Sequence, residues 1–131
     1  MPETASLGPC TPFFIVGNLS ISLEHYLEKM GFECRFMAPE SDPQFAIVGR
    51  GQAQIMVKSI DGTVPPLPNP VRHEWARWDT FVHVAEPDLL AEELKGRGVA
   101  FKEPLADTDD GLRGFEIADP DGYVCFFGRP V

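Results

Sequence analysis

The chain carries one pattern of apolar and turn residues twice. Val16 and Val84, Leu23 and Leu90, Leu27 and Leu94, and Gly31 and Gly98 form matched pairs at offsets of 68, 67, 67 and 67 residues. In each copy a short run with strand composition, Thr11–Val16 or Thr80–Val84, precedes an amphipathic stretch, and three further apolar runs follow it. A chain of 131 residues that repeats a unit of this size, with one helix per copy, is predicted to fold as two βαβββ modules. The fold class is then α+β, with curved mixed sheets.

Local signals mark the elements. Asn18 is a good N-cap, because its side-chain oxygen can accept from the free backbone N–H groups of a first helical turn. Leu23, Tyr26, Leu27 and Met30 then recur at i, i+3, i+4 and i+7, one buried helical stripe, and Gly31 supplies the left-handed residue that ends it. Strands are expected over Glu33–Met37, Gln44–Val48 and Ala53–Lys58. In the second copy Pro87 takes a first-turn position, Leu90 and Leu94 share a face, and Gly98 closes the helix. Strands are expected there over Val99–Lys102, Leu112–Ala118 and Tyr123–Phe127. Asp119-Pro120-Asp121-Gly122 reads as a hairpin turn between the last two, with Pro120 setting φ and Gly122 taking positive φ. Between the copies, Pro65, Pro66, Pro68 and Pro70 exclude helix and central strand. The expected organisation is a single domain, 1–131, with modules over 11–60 and 79–128 joined by a Pro-rich bridge over 61–78.

A net charge of −9 argues against nucleic acid and anionic membrane as partners, since both demand basic patches, and is compatible with a cationic ligand. No apolar run approaches the roughly 18 to 20 residues of a membrane span. Met1–Pro12 has neither the basic nor the apolar region of a secretory signal, so a cytoplasmic location is expected. Cys10, Cys34 and Cys125 are odd in number and widely spaced; Cys34 and Cys125 are expected to be buried thiols in a reducing compartment. Phosphate-loop and Ser/His/Asp arrangements are absent: Gly49-Arg50-Gly51 is too short and has no helix after it.

The repeat resembles the vicinal oxygen chelate superfamily, which includes glyoxalase I, extradiol dioxygenases, and fosfomycin- and bleomycin-resistance proteins. The resemblance lies in Val16-Gly17-Asn18-Leu19, in the helix and turn from His25 to Glu33, and in Asp119-Pro120-Asp121-Gly122 before the last strand. It implies that each module curls its strands into half of a cup, and that a chain of this length pairs as a homodimer with cups built across the interface. His25 stands where the family has Phe.

Enzymes of the superfamily hold a divalent metal through His, Gln or Glu, and the cation polarises an oxygenated substrate. Carried over by position, the family's ligand sites fall on Thr11, Asp79 and Phe126. Thr11 is a poor ligand and Phe126 cannot be one, so no cofactor is expected. That departure resembles the bleomycin-resistance branch, which sequesters its ligand without a protein-bound catalytic metal. The alternative is a divergent glyoxalase-like lyase or isomerase, or a dioxygenase-like metalloenzyme, placing a divalent metal through Asp79, His83 and a carboxylate such as Glu116.

Strand alternation indicates what lines the cup in place of a metal. If Thr11 and Asp79 face it, so do Phe13 and Ile15, and Phe81 and His83, while Phe14, Val16, Val82 and Val84 point to the helices. Phe126 takes the cup face of the last strand, and Gln54, Met56 and Lys58 share a face opposite Ile55 and Val57. Trp75 and Trp78 read as a stacking lid or as interface anchors. The candidate ligand-binding residues are thus Phe13, Gln54, Met56, Trp75, Trp78, Phe81, His83 and Phe126. They suit a planar or hydrophobic small molecule, and the acidic loop Asp107, Asp109, Asp110 suits a cationic one.

Overall fold

The computed structural model describes residues 3–131, so the first two positions of the expected domain lie outside the described residues. Strands β1 (Phe13–Val16), β2 (Glu33–Ala38), β3 (Phe45–Arg50) and β4 (Ala53–Ser59) form one sheet in the order β1-β4-β3-β2. Strands β5 (Thr80–His83), β6 (Glu103–Asp107), β7 (Leu112–Ala118) and β8 (Val124–Pro130) form a second sheet in the matching order β5-β8-β7-β6. The first strand of each sheet pairs in parallel with the last, and the other pairs are antiparallel. Phe13 faces Met56 in the first sheet as Phe81 faces Phe126 in the second, so the repeat extends to register.

Helix α1 (Leu19–Leu23) begins where expected, with the Ile21 N–H donating to Asn18 Oδ1 at 3.1 Å. It continues over Glu24–Lys29 with wider, π-helical turns, and the Met30 N–H donates to the carbonyl of His25, five residues back. The widening still buries Tyr26 and Met30 and ends at Gly31, φ 73°. Helix α3 (Pro87–Gly96) carries Pro87 in its first turn and ends before Gly98, φ 79°.

Two expectations about local structure are corrected. The bridge does contain a helical turn, α2 (Asn69–Arg72), because Pro70 lies in the first turn, where a missing N–H costs nothing. The sixth strand is not Val99–Lys102 but Glu103–Asp107. Val99 belongs to the helix exit, its N–H donating to Leu94 O at 3.0 Å while its side chain enters the core; pairing to β7 starts only with the Lys102 N–H on Glu116 O at 2.8 Å. Asp107 is therefore a strand residue opposite Arg113 rather than part of the acidic loop with Asp109 and Asp110.

Both sheets turn one face into a common core built from Phe14, Val16, Ile55 and Val57 of the first and Phe115, Ile117, Cys125 and Phe127 of the second. Val82 and Val84 pack against this core, as strand parity anticipates. Cys125 is buried, whereas Cys34 is exposed: it sits on edge strand β2 beside the irregularity between Cys34 and Phe36. Among the described residues, no helix is long and apolar enough to cross a membrane.

Candidate functional site

The Asp-Pro-Asp-Gly turn is a junction between the modules. Asp119 Oδ1 accepts the Asp121 and Tyr123 N–H groups, both at 2.9 Å, which closes the turn. Its Oδ2 accepts the Tyr26 hydroxyl of the first helix at 2.8 Å, and Asp121 Oδ1 accepts the Gly17 N–H at 3.0 Å. Tyr123 stacks on Phe14 with centroids 4.3 Å apart and donates its hydroxyl to Ile15 O at 2.6 Å. The motif thus seats the second sheet against the first module, and the face of each sheet away from the shared core remains open.

On the open face of the second sheet, four of the sequence-identified residues come together. Trp78 stacks on Phe126 at 5.2 Å and meets Phe81 edge-on at 5.4 Å. Phe81 contacts Phe126 at 5.1 Å and His83 at 4.6 Å. Phe126 is only 1% exposed, because the other rings cover it from above and two glycines lie beneath. A Cβ on Gly114 or on Gly128 would fall 2.7 or 2.6 Å from the Phe126 ring, so glycine at both positions is what lets this ring lie flat on the strands. Beside the cluster, over β6 and β7, is a cavity of about 630 Å³ whose lining includes Phe126, Gly114, Glu116, Arg77 and Lys102. A recess of about 320 Å³ holds Trp75 and Trp78 and shares Ala76, Arg77 and Asp110 with that cavity. Trp75 is 83% exposed and touches His73 rather than the aromatic cluster.

Phe13, Gln54 and Met56 lie on the first sheet, so one chain does not gather all the sequence-identified residues at one place. Phe13 is half exposed at 52% and stacks on Phe45 at 6.2 Å; Phe36, also half exposed, meets Phe45 at 6.1 Å. Gln54 Oε1 accepts from Arg35, whose guanidinium lies flat over Gly49. Phe36 and Phe45 had escaped the sequence reading. Phe45 was accessible through alternation with Ile47, whereas the irregularity in β2 hid the parity of Phe36.

The charged groups divide sharply by how well they are partnered. Asp79 does not present a free carboxylate to the open face. Its two oxygens accept the Asn69 N–H at 2.7 Å and the Val124 N–H at 2.8 Å, tying the bridge to β8. Glu116 is buried on the cavity floor, and its ion-pair partner among the described residues, Arg77, is 3.5 Å away and half exposed. Burial raises the Glu116 pKa, opposed by Arg77 and Lys102. Arg77 also lies over the Trp78 ring, 5.9 Å from its centroid. The indole N–H of Trp78 is buried without a hydrogen-bond partner among the described residues.

The residues at the family's metal positions do not fit a divalent cation. Both oxygens of Asp79 are already engaged by backbone donors, Phe126 has no donor atom, and Asp79, His83 and Glu116 do not converge. Among the described residues, no three His, Cys, Asp or Glu side chains come together as a ligand set.

Comparison with known structures agrees with this architecture. TioX from Micromonospora sp. ML1 superposes with a TM-score of 0.69 at 18% identity, covering 92% of this chain and 97% of that one. TnmS3, an antibiotic binding protein from Streptomyces sp. CB03234, gives 0.69 at 21% identity over 98% and 100%. The bleomycin-binding protein of bleomycin-producing Streptomyces verticillus, solved with copper(II)-bleomycin, gives 0.68 at 22% identity over 95% and 97%. At such identities the likeness establishes a shared fold. No curated protein sequence matches the chain. A family model does, over residues 6–126, and a match of that extent on this architecture makes the chain a member of the glyoxalase/bleomycin resistance protein/dioxygenase superfamily.

Proposed function

We propose that this protein binds and sequesters a planar or hydrophobic small molecule, without a catalytic metal, on the aromatic face of its second sheet. The ligand-binding residues are Trp75, Trp78, Phe81, His83 and Phe126 of one chain, with Phe13, Gln54 and Met56 of a second copy closing the cup. The observation that carries this reading is the ring cluster built on Phe126, with an open cavity beside it and both oxygens of the nearest family-position carboxylate, Asp79, spent on backbone N–H groups. Flat rings offer a large apolar contact area with a defined stacking geometry, and a few polar groups around them set orientation. The antibiotic-binding relatives support the same class of activity.

The test uses protein purified without chelator and the planar, neutral probe acridone. Native mass spectrometry should show no stoichiometric transition metal. Calorimetric titration should show acridone binding that Trp78→Ala weakens about tenfold through loss of a stacking partner, and that Phe126→Ala also weakens by removing the buried ring on which Trp78 rests. One tightly bound zinc, iron, manganese or nickel per chain, lost in Asp79→Ala, would instead establish the metalloenzyme reading.

A further inference from the structure

We propose that Glu116 selects the ligand, and that the cavity over β6 and β7 takes a planar aromatic cation whose N–H group is held by the Glu116 carboxylate. This rests on the reading of the second sheet as a small-molecule site. Glu116 stands between Phe115 and Ile117, both in the core, so strand alternation turns it to the open face, directly across from Phe126. Its side chain is 5% exposed, yet it lines the cavity.

A buried carboxylate is stable only when hydrogen bonds or close cations replace its lost water. The other buried or bridging carboxylates here meet that demand. Asp119 accepts three hydrogen bonds of 2.9 Å or less, and Asp79 two of 2.7 and 2.8 Å. Glu116 has instead one long contact of 3.5 Å, to an arginine that is half exposed and shared with the Trp78 ring. The Glu116 side chain lines the cavity, where a donor on a bound ligand would add the close hydrogen bond that Arg77 does not make.

The surroundings define the chemistry of that donor. Trp78, resting on the buried Phe126 ring beside the carboxylate, suits a flat ring. Glu74, Glu103, Asp109 and Asp110 lie around the cavity against Arg77 and Lys102, while Asp107 is paired with Arg113 at 3.0 Å, so the field in the cavity favours positive charge. A ring carrying an amino or ring N–H cation satisfies both features, with a charge-assisted hydrogen bond to Glu116.

Three probes of one ring shape separate the contributions: cationic 9-aminoacridine, neutral acridone and anionic acridine-9-carboxylate. Titrations run in 1 M salt, where the Debye length is about 3 Å and the diffuse acidity of the surface is screened while a buried pair is not. The wild-type protein should bind 9-aminoacridine about tenfold or more tightly than acridone, with the carboxylate weakest. Glu116→Gln, which keeps the side chain's shape and an oxygen that accepts from an N–H, should erase the preference for the cation over acridone. Glu116→Asp, which shortens the reach, should reduce the preference and serves where Gln impairs folding. Equal binding of cation and neutral ring, a preference that survives both variants, or tightest binding of the anion through Arg77 and Lys102 would each overturn the role of Glu116 while acridone binding leaves the small-molecule reading standing. No binding of any probe would overturn both.

Discussion

Burial shifts the pKa values of His25 and Asp119 in opposite directions. Burial, with Lys29 adding to it, lowers the His25 pKa from 6.5 to about 4. The folded state therefore holds His25 neutral, and its contribution to stability is present above 6.5 and lost as pH falls toward 4. Burial raises the Asp119 pKa from 3.8 to about 6, against the hydrogen bonds from Tyr26, Tyr123 and Asp121. Its contribution is present in full below 3.8 and lost as pH rises through about 6. The two effects oppose each other between those limits, so wild-type stability should vary little there from this pair. His25→Phe removes one of them. Relative to wild type, this variant should gain roughly 2 kcal/mol more at pH 5 than at pH 7, read from urea denaturation at both values. A difference that does not change with pH would mean that His25 is free to protonate in the fold. Sequence position marked His25 as a helix residue in place of the family's Phe; only burial against Tyr26, ring centroids 4.8 Å apart, gives it this pH dependence.

At the scale of elements, the β7–β8 hairpin is both the best-specified piece and the platform of the candidate site. Its aromatic and β-branched runs and its turn residues were legible because turn chemistry is local. The role of its glycines was not, since Gly114 and Gly128 acquire their meaning only when β7 pairs with β8 and the Phe126 ring folds down over both. Gly114→Ala should cost roughly 1–3 kcal/mol, because the new methyl meets the Phe126 ring and the Phe127 carbonyl oxygen. It should also displace the ring beneath Trp78 and change tryptophan fluorescence. Gly62→Ala is the control, as nothing lies within 4 Å of that position and its φ is not positive. Equal chemical-denaturation midpoints for the two variants would contradict this account of the platform. The sixth strand escaped sequence reading for a related reason. Val99 and Phe101 have strand composition, but the helix exit claims the first for the core, and Pro104 then lies on an edge strand, where its missing N–H is tolerated.

The whole molecule leaves apolar surface on both open faces. Phe13 and Phe36 are each about half exposed on the first sheet, while the ring cluster and its cavity lie on the second. One chain cannot bring these faces together, because their opposite sides already share one core. We expect a homodimer, with sedimentation at micromolar concentration reporting twice the chain mass and Phe36→Lys shifting it toward monomer; a concentration-independent monomer for wild type would refute this. The doubled module, the strand parity that separates Phe14 and Val16 from Phe13 and Ile15, and the caps and turns are legible in the chain of residues, because they depend on periodicity and on neighbours close in sequence. Which carboxylates are spent and which remain available follows only from contacts between distant segments. Asp79 and Glu116 are equally plausible ligands as letters. Asp79 is consumed by N–H groups of Asn69, 10 residues before it, and Val124, 45 residues after it, while Glu116 is buried at the floor of a cavity with one long ion pair. Such differences arise from desolvation and from long-range contacts, and neither is encoded in local spacing.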